Sequence, residues 1–212
     1  SQVKQAMLTF PSDFDETQQS ELLASAKLVG LQNVYLMPES AAAAVSYGCS
    51  GTIQKKGSNI VVISIGGGFM EVGAFSIKDG LVTDMSREGA AIGTMDLDVG
   101  LLRHCLHHMQ KEGMDECDPR GEMRLRRECE PVKERLSSAG HTNIEVEELT
   151  TGVDFRLGIS QSKLRELAEG LKLQNILAEL INTCLRNANL EESDVSQIIL
   201  QGVGTRFLRL PD

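Results

Sequence analysis

Tryptophan is absent from this 212-residue chain, tyrosine occurs twice, and aromatic residues make up 4% of it. The formal net charge is -9. Without a basic face to track phosphates or an aromatic platform on which bases stack, direct nucleic-acid binding is not expected. Cysteine is scarce in pattern if not in number: Cys49, Cys105, Cys117, Cys129 and Cys184 are scattered, with no Cys-x-x-Cys pair. That argues against a disulfide framework or a structural zinc site and fits a reducing compartment. No apolar run approaches the roughly 18 residues of a bilayer-spanning helix, and no basic flank followed by an apolar core opens the sequence, so no membrane partner is expected. Ser1 leads almost at once into a strand-like segment, and Asp212 follows what reads as the start of a helix, as expected of a piece of a longer protein. What is present is a globular composition, 41% hydrophobic, enough for a substantial core in one large domain or two small ones.

The chain is organised around Asn59 to Gly73, where an apolar run stops at Gly66-Gly67-Gly68 and then resumes. Ile60 to Ile65 is a short β-branched run with one serine, which suits a central strand buried on both faces. Glycines lose the most backbone entropy on folding, so three in a row imply a turn whose bare N–H groups approach something closely, such as a phosphate. A plain hairpin corner uses the same residues, and the triplet alone does not separate the two.

In chain order, Gln5 to Phe10 reads as a strand closed by Pro11. Asp15 and Gln18 form a capping box for a helix in which Leu22, Leu23, Ala26 and Val29 keep helical spacing, with Gly30 as its stop. Asn33 to Met37 is a second short strand. Pro38-Glu39-Ser40 breaks it and opens a helix over Ala41 to Tyr47, placing Glu39 at a strand-to-helix corner. Thr52 to Ser58 reads as a linker. Met70 to Ile77 and Leu81 to Met85 flank Asp79-Gly80, a strong hairpin signal. Gly93 to Asp96 starts a helix to about Gln110, with Leu97, Leu101, Leu102 and Leu106 inside. His104, His107 and His108 on this helix lack a carboxylate cluster at ligand spacing and read as a partly exposed face. Asp118-Pro119 starts a helix expected to run to Ser138. Its stripe Glu130, Lys133, Glu134 and Ser137 reads as a solvated polar face, and Pro131 should kink it or cost about 3 kcal/mol. Ile144 to Leu149 and Val153 to Leu157 form a hairpin around Thr151-Gly152. Ser160 caps a long helix carrying Leu164 through Cys184, with a bend expected midway. Val195 to Leu200 is the last strand, ending in the second glycine turn, Gln201-Gly202-Val203-Gly204-Thr205-Arg206, where open α/β sheets place ligands.

Taken in order, Leu8-Thr-Phe-Pro11, Pro38-Glu39-Ser40-Ala-Ala-Ala-Ala-Val-Ser-Tyr-Gly48, Gly66-Gly-Gly68, Glu130-Pro-Val-Lys133-Glu-Arg-Leu-Ser137-Ser, Gly152-Val-Asp-Phe155 and Gly202-Val-Gly204-Thr205-Arg206 resemble the seventy-kilodalton heat-shock chaperones. The likeness is to the central part of the nucleotide-binding domain of that DnaK-type family within the actin-like ATPases, over nearly the whole chain. It implies an α/β, ribonuclease H-like lobe with a mixed sheet and flanking helices, plus a smaller α+β subdomain. By that likeness, residues 1–55 belong to lobe I and 56–212 to lobe II, with the smaller subdomain inserted at roughly 94–160. The family's first phosphate loop and phosphate-contacting lysine would lie upstream of Ser1, so this stretch would hold half a nucleotide site and bind ATP weakly or not at all.

The resemblance further implies ATP or ADP with magnesium as cofactors, and a J-domain protein, a nucleotide-exchange factor and unfolded clients as partners in the cytoplasm. It implies Glu39 and Glu71 as catalytic acids. Gly66, Gly67, Gly68, Phe69, Gly202, Val203, Gly204, Thr205 and Arg206 would line the phosphates, and Glu130, Lys133, Glu134 and Ser137 the adenosine. Four positions depart from the family. Ser64 stands where the family has an Asp that helps organise magnesium and the attacking water. Phe69 replaces a Thr near the γ-phosphate, and Glu134 replaces an Arg that stacks on the base, while Glu71 is one methylene longer than the family's Asp. Phosphoryl transfer depends on positioning and electrostatics, so these changes point to impaired hydrolysis. The alternatives are a non-hydrolysing regulatory or ribosome-associated partner and a fully active ATP-driven chaperone, with an actin-like or sugar-kinase relative last.

Overall fold

The computed structural model describes residues 3, 5–49, 57–114, 116–150 and 152–206. Its elements in order are β1 (Gln5–Phe10), α1 (Glu16–Leu28), β2 (Asn33–Pro38), α2 (Glu39–Cys49), β3 (Ser58–Ile65), β4 (Met70–Lys78), β5 (Leu81–Ala90), α3 (Thr94–Lys111), α4 (Pro119–Cys129), α5 (Val132–Ser138), β6 (His141–Thr150), β7 (Val153–Ser160), α6 (Gln161–Gly170), α7 (Leu173–Asn187) and β8 (Val195–Gln201). Short 3-10 turns cover Glu192–Asp194 and Val203–Arg206. The chain divides into two compact units, one of residues up to Ala91 with Ile176–Thr205, the other around Ile92–Asn175.

In the first unit β1 and β2 pair in parallel, Gln5 opposite Asn33 through Phe10 opposite Pro38. The helix between them supplies the crossover that parallel strands need. Its capping box forms as read: Gln18 N donates to Asp15 Oδ1 at 2.8 Å and Asp15 N to Gln18 Oε1 at 3.0 Å. At the other end Gly30 takes φ +90°, with Gly30 N on Lys27 O and Leu31 N on Ala26 O, the paired bonds of a left-handed C-terminal cap. Val29 is the cap residue and 78% exposed.

The larger sheet has strand order β5-β4-β3-β8, with β3 antiparallel to β4 and parallel to β8, so it is mixed. Every residue from Ile60 to Ile65 is buried, and each buried Ile or Val contributes about 1.5–3 kcal/mol. Ile60 and Val62 on one face join Phe75, Ile77 and Ala44 of α2 in a core cluster. Gly73 lets α2 come close, because a Cβ there would lie 2.9 Å from Ser40 Oγ. The β4–β5 turn places Asp79 and Gly80 at φ 52° and 79°, the left-handed pair of a two-residue hairpin.

In the second unit Leu97, Leu101, Cys105 and Met109 bury one stripe of α3, facing a core that includes Leu125, Cys129, Val132, Leu136, Ile144, Phe155 and Ile159. The helix expected over 119–138 is two helices. Proline has no N–H and its ring clashes with the carbonyl four residues back, so α4 stops before Pro131 and α5 restarts with Arg135 N on Pro131 O at 3.0 Å. The long helix after Ser160 is likewise interrupted rather than bent, with Lys172 at φ 55° between α6 and α7. The hairpin of β6 and β7 extends beyond its expected ends to His141 and Ser160. Most of the Thr52–Ser58 linker, Thr151 of the turn and the residues after Arg206 lie outside the described residues.

Candidate functional site

Three strand-end residues stand in one row across the sheet of the first unit. Ser64 on β3 is opposite Glu71 on β4 and beside Gln201 on β8. Side chains directly opposite share a face, and this is the face on which α2 lies. Glu71 is 1% exposed. Its Oε2 accepts from Ser12 N at 3.1 Å and its Oε1 from Ser40 N at 3.2 Å. The carboxylate thus ties the turn after β1 and the first turn of α2 to the strand that follows the glycines, and it sits where a helix dipole favours negative charge. Glu39 begins α2, one residue from that contact. Burial, then the charge of Glu71, pushes its carboxyl up. Asp13 is also raised, chiefly by burial against a lowering backbone hydrogen bond, with Glu71 adding to the rise. Among the described residues, Ser40 Oγ and Gln201 Oε1 are buried without a hydrogen-bond partner.

The first glycine turn closes with Gly66 N on Phe69 O at 2.8 Å. None of its three glycines has a positive φ. A Cβ on Gly68 would meet nothing within 4 Å, and one on Gly66 only Phe69 O at 3.4 Å. Neither backbone conformation nor crowding within the chain therefore requires glycine at 66 and 68, and open space over bare N–H groups is what a close-approaching anion uses. The second turn differs. Gly202 has φ +87°, and a Cβ there would collide with Ile65 O, so its glycine is demanded by the fold. That approach brings the two turns together at one end of the sheet. Thr205 Oγ1 donates to Gly202 O at 2.8 Å, Gly204 is buried and Val203 exposed; Arg206 lies in the same short turn. The Phe69 ring is housed by a glycine on β5: a Cβ at Gly89 would lie 2.5 Å from its Cζ.

The remaining expected residues lie in the second unit. Glu130 and Glu134 are exposed, and Ser137 Oγ turns back to Glu134 O at 2.7 Å. Lys133 is not on a solvated face. It is 8% exposed, with Nζ 2.6 Å from Asp98 Oδ2 and donating to Thr94 O at 2.9 Å. Burial pushes the Asp98 carboxyl up, although the hydrogen bond and charge of Lys133 act the other way, and among the described residues Asp98 Oδ1 has no partner. Two cavities of this unit, about 170 Å³ beside Met109 and Cys117 and about 560 Å³ beside Arg124 and Glu148, include none of the expected residues.

Sequence reasoning missed Asp98 and Thr94 as the partners of Lys133, and Ser12 and Ser40 as the donors to Glu71. No local pattern marks them. Gly89 carried a signal, since an isolated glycine in a strand suggests a close approach.

Comparison with known proteins agrees with the fold. The family model described as Hsp70 protein matches residues 1–211. The chain is similar to "Heat shock 70 kDa protein 2" of Paracoccidioides lutzii, 29% identical over 214 residues, covering 98% of this chain and 32% of that protein. It is also similar to "Heat shock 70 kDa protein" of Penicillium citrinum, 29% over 211 residues, 98% and 41%. A third relative is a protein of Zygosaccharomyces rouxii described as a ribosome-associated molecular chaperone, 28% over 208 residues, 97% and 34%. The chain spans about a third of the length of such relatives, and with a family match over 1–211 it belongs to the Hsp70 family, in that family's nucleotide-binding region.

Proposed function

We propose that this chain is the nucleotide-binding part of a divergent heat-shock chaperone that holds ATP or ADP but hydrolyses it poorly. The observation that carries the reading is the row across the sheet. Ser64 brings a hydroxyl where a carboxylate is expected, and Glu71 already accepts two backbone N–H groups. Glu39 is the remaining acid of the expected set, held at the α2 corner with its proton affinity raised.

A phosphate fits the first turn, where Gly66 and Gly68 leave room for close approach. Bound ATP supplies the phosphoanhydride bond. The chain's own part is to present the N–H groups of Gly67 and Gly68, the Gly66 N–H being spent on Phe69 O to close the turn, with the Gly202–Thr205 turn against Ile65 fixing that end of the sheet. Among the described residues no three of His, Cys, Asp and Glu are placed to hold a metal ion by themselves, so magnesium would be carried by the nucleotide phosphates and water, and no step is assigned to it. The residues that the resemblance assigns to adenosine are described within their own unit alone: Glu130, Glu134 and Ser137 are exposed there, while Lys133 Nζ is occupied by Asp98 and Thr94 O.

Residues 1–55 then belong to lobe I and 56–212 to lobe II, with the smaller subdomain at roughly 94–160. Work with a J-domain protein, a nucleotide-exchange factor and unfolded clients in the cytoplasm belongs to this proposal for the whole protein. A ribosome-associated, non-hydrolysing role is the second reading, favoured by similarity to relatives bearing that description. Calorimetry of the complete protein tests the first. ADP should bind, and Gly68→Val should weaken it at least tenfold with the melting temperature unchanged. Equal ADP affinity in both proteins overturns the phosphate assignment.

A further inference from the structure

We propose that Glu71 is a positioning residue, a carboxylate clamp that holds the first turn of α2 and the Pro11–Ser12 turn against the glycine-bearing strand. On this view it is not itself a reacting group. The functional meaning of the clamp rests on the proposed nucleotide site, because what it places is Glu39.

Both carboxylate oxygens are engaged, Oε1 by Ser40 N at 3.2 Å and Oε2 by Ser12 N at 3.1 Å. The side chain is 1% exposed. A buried carboxylate must be satisfied by donors or it loses its charge, and these two amides with the start of a helix are what satisfy it. Reach matters as much as charge. The donors lie 59 and 31 residues away in sequence, on separate segments, so a single side chain must bridge both. Aspartate is one methylene shorter and cannot hold the same two points without moving a backbone. Gly73, two residues along β4, completes the fit by leaving room for Ser40.

The clamp fixes more than packing. Ser40 follows Glu39, and Ser12 precedes Asp13, so the two carboxyl groups that feel the charge of Glu71 are placed by the backbone it holds. Glu39 from α2, Asp13 from the turn after β1 and Glu71 from β4 form a coupled set. Moving or neutralising Glu71 changes both the position and the proton affinity of Glu39, an effect that a purely space-filling residue would not have.

The test uses the complete protein with Glu71→Gln, Glu71→Asp and Ser40→Ala. Hydrogen exchange without nucleotide, followed by mass spectrometry over peptides containing Ser12 and Ser40, should show protection falling roughly tenfold or more at both sites in the first two variants, the scale of a charge-assisted hydrogen bond. Ser40→Ala keeps the amide and should leave protection unchanged, which controls for general loosening of α2. The second readout is the pH dependence of stability attributable to Glu39, taken as the difference between proteins with and without Glu39→Gln. Glu71→Gln should shrink that difference and Glu71→Asp should retain more of it. Unchanged protection at both sites in Glu71→Gln and Glu71→Asp overturns the clamp, as does a Glu39-linked pH dependence indifferent to Glu71. Should Glu71→Gln not fold, Glu71→Asp decides the matter by exchange alone. Lost protection in a wild-type background that binds no nucleotide supports the clamp and refutes the nucleotide reading, so the two fail separately.

Discussion

Replacing Lys133 by methionine keeps most of the aliphatic stem and removes the ammonium group from between α3 and α5. The side chains of Lys133 and Asp98 are 10% and 7% exposed, so Asp98 is left in a dry site with neither oxygen paired, and Thr94 O loses its donor. Breaking a buried pair from one side costs about 3–5 kcal/mol. The loss should depend on pH with a definite sign. Burial already raises the Asp98 carboxyl against the opposing pull of Lys133. Removing that pull raises it further, so the folded variant binds a proton that the unfolded chain releases. Stability of Lys133→Met should therefore fall as pH rises from the ordinary carboxylate range through the raised one, and its deficit against wild type should be smaller near pH 5 than near pH 8. Urea denaturation at both pH values measures this. The double variant Lys133→Met with Asp98→Leu should recover most of the loss, because an apolar pair of similar volume is often neutral or stabilising. A single-variant deficit below about 1 kcal/mol at pH 8, the level of an exposed pair, would refute the buried bridge and return Lys133 to a solvated face.

Other outcomes follow from the glycines and the acids. Gly89→Ala should destabilise by about 1–3 kcal/mol, because its Cβ meets the Phe69 ring, and Phe69→Thr should relieve it in a thermal double-mutant cycle. Gly202→Ala should destabilise by at least about 1–3 kcal/mol through positive φ alone, whereas Gly68→Ala should stay within about 0.5 kcal/mol of wild type; melting curves of the two separate fold from ligand approach. Glu39→Gln should flatten the decline in stability that the raised Glu39 carboxyl produces as pH climbs out of the carboxylate range, measured by urea midpoints from pH 4 to 8. Ser64→Asp places a second carboxylate opposite Glu71 and should lower the melting temperature, since like charges directly opposite are destabilising.

Much of this arrangement was legible because its causes are local. The β-branched run from Ile60 to Ile65 has no polar face, so it reads as the middle of a sheet. Asp79-Gly80 fixes a hairpin by backbone sterics, and the caps at Asp15 and Ser160 depend on residues three positions away. The rest depends on partners that sequence spacing cannot name. The stripe of Glu130, Lys133, Glu134 and Ser137 identifies one helical face, but whether that face meets water or Asp98 is decided 35 residues away. Glu71 carries no mark of its two backbone donors. Pro131 gave warning of trouble in the helix, and the outcome was a break because Arg135 N could restart the ladder from Pro131 O. At Phe69 the sequence showed a ring in place of a Thr near the γ-phosphate, while Gly89 shows where that ring rests.

The central claim is that loss of the carboxylate at Ser64 and the ring at Phe69 impair hydrolysis, and single-turnover ATP cleavage by the complete protein under saturating ATP and magnesium tests it most directly. Wild type should cleave far more slowly than an unmodified Hsp70 relative measured beside it. Ser64→Asp with Phe69→Thr should raise the rate by roughly a hundred- to a thousandfold, the scale of one preorganised electrostatic group, with each single change giving less. Wild-type cleavage as fast as that of the relative would contradict the account.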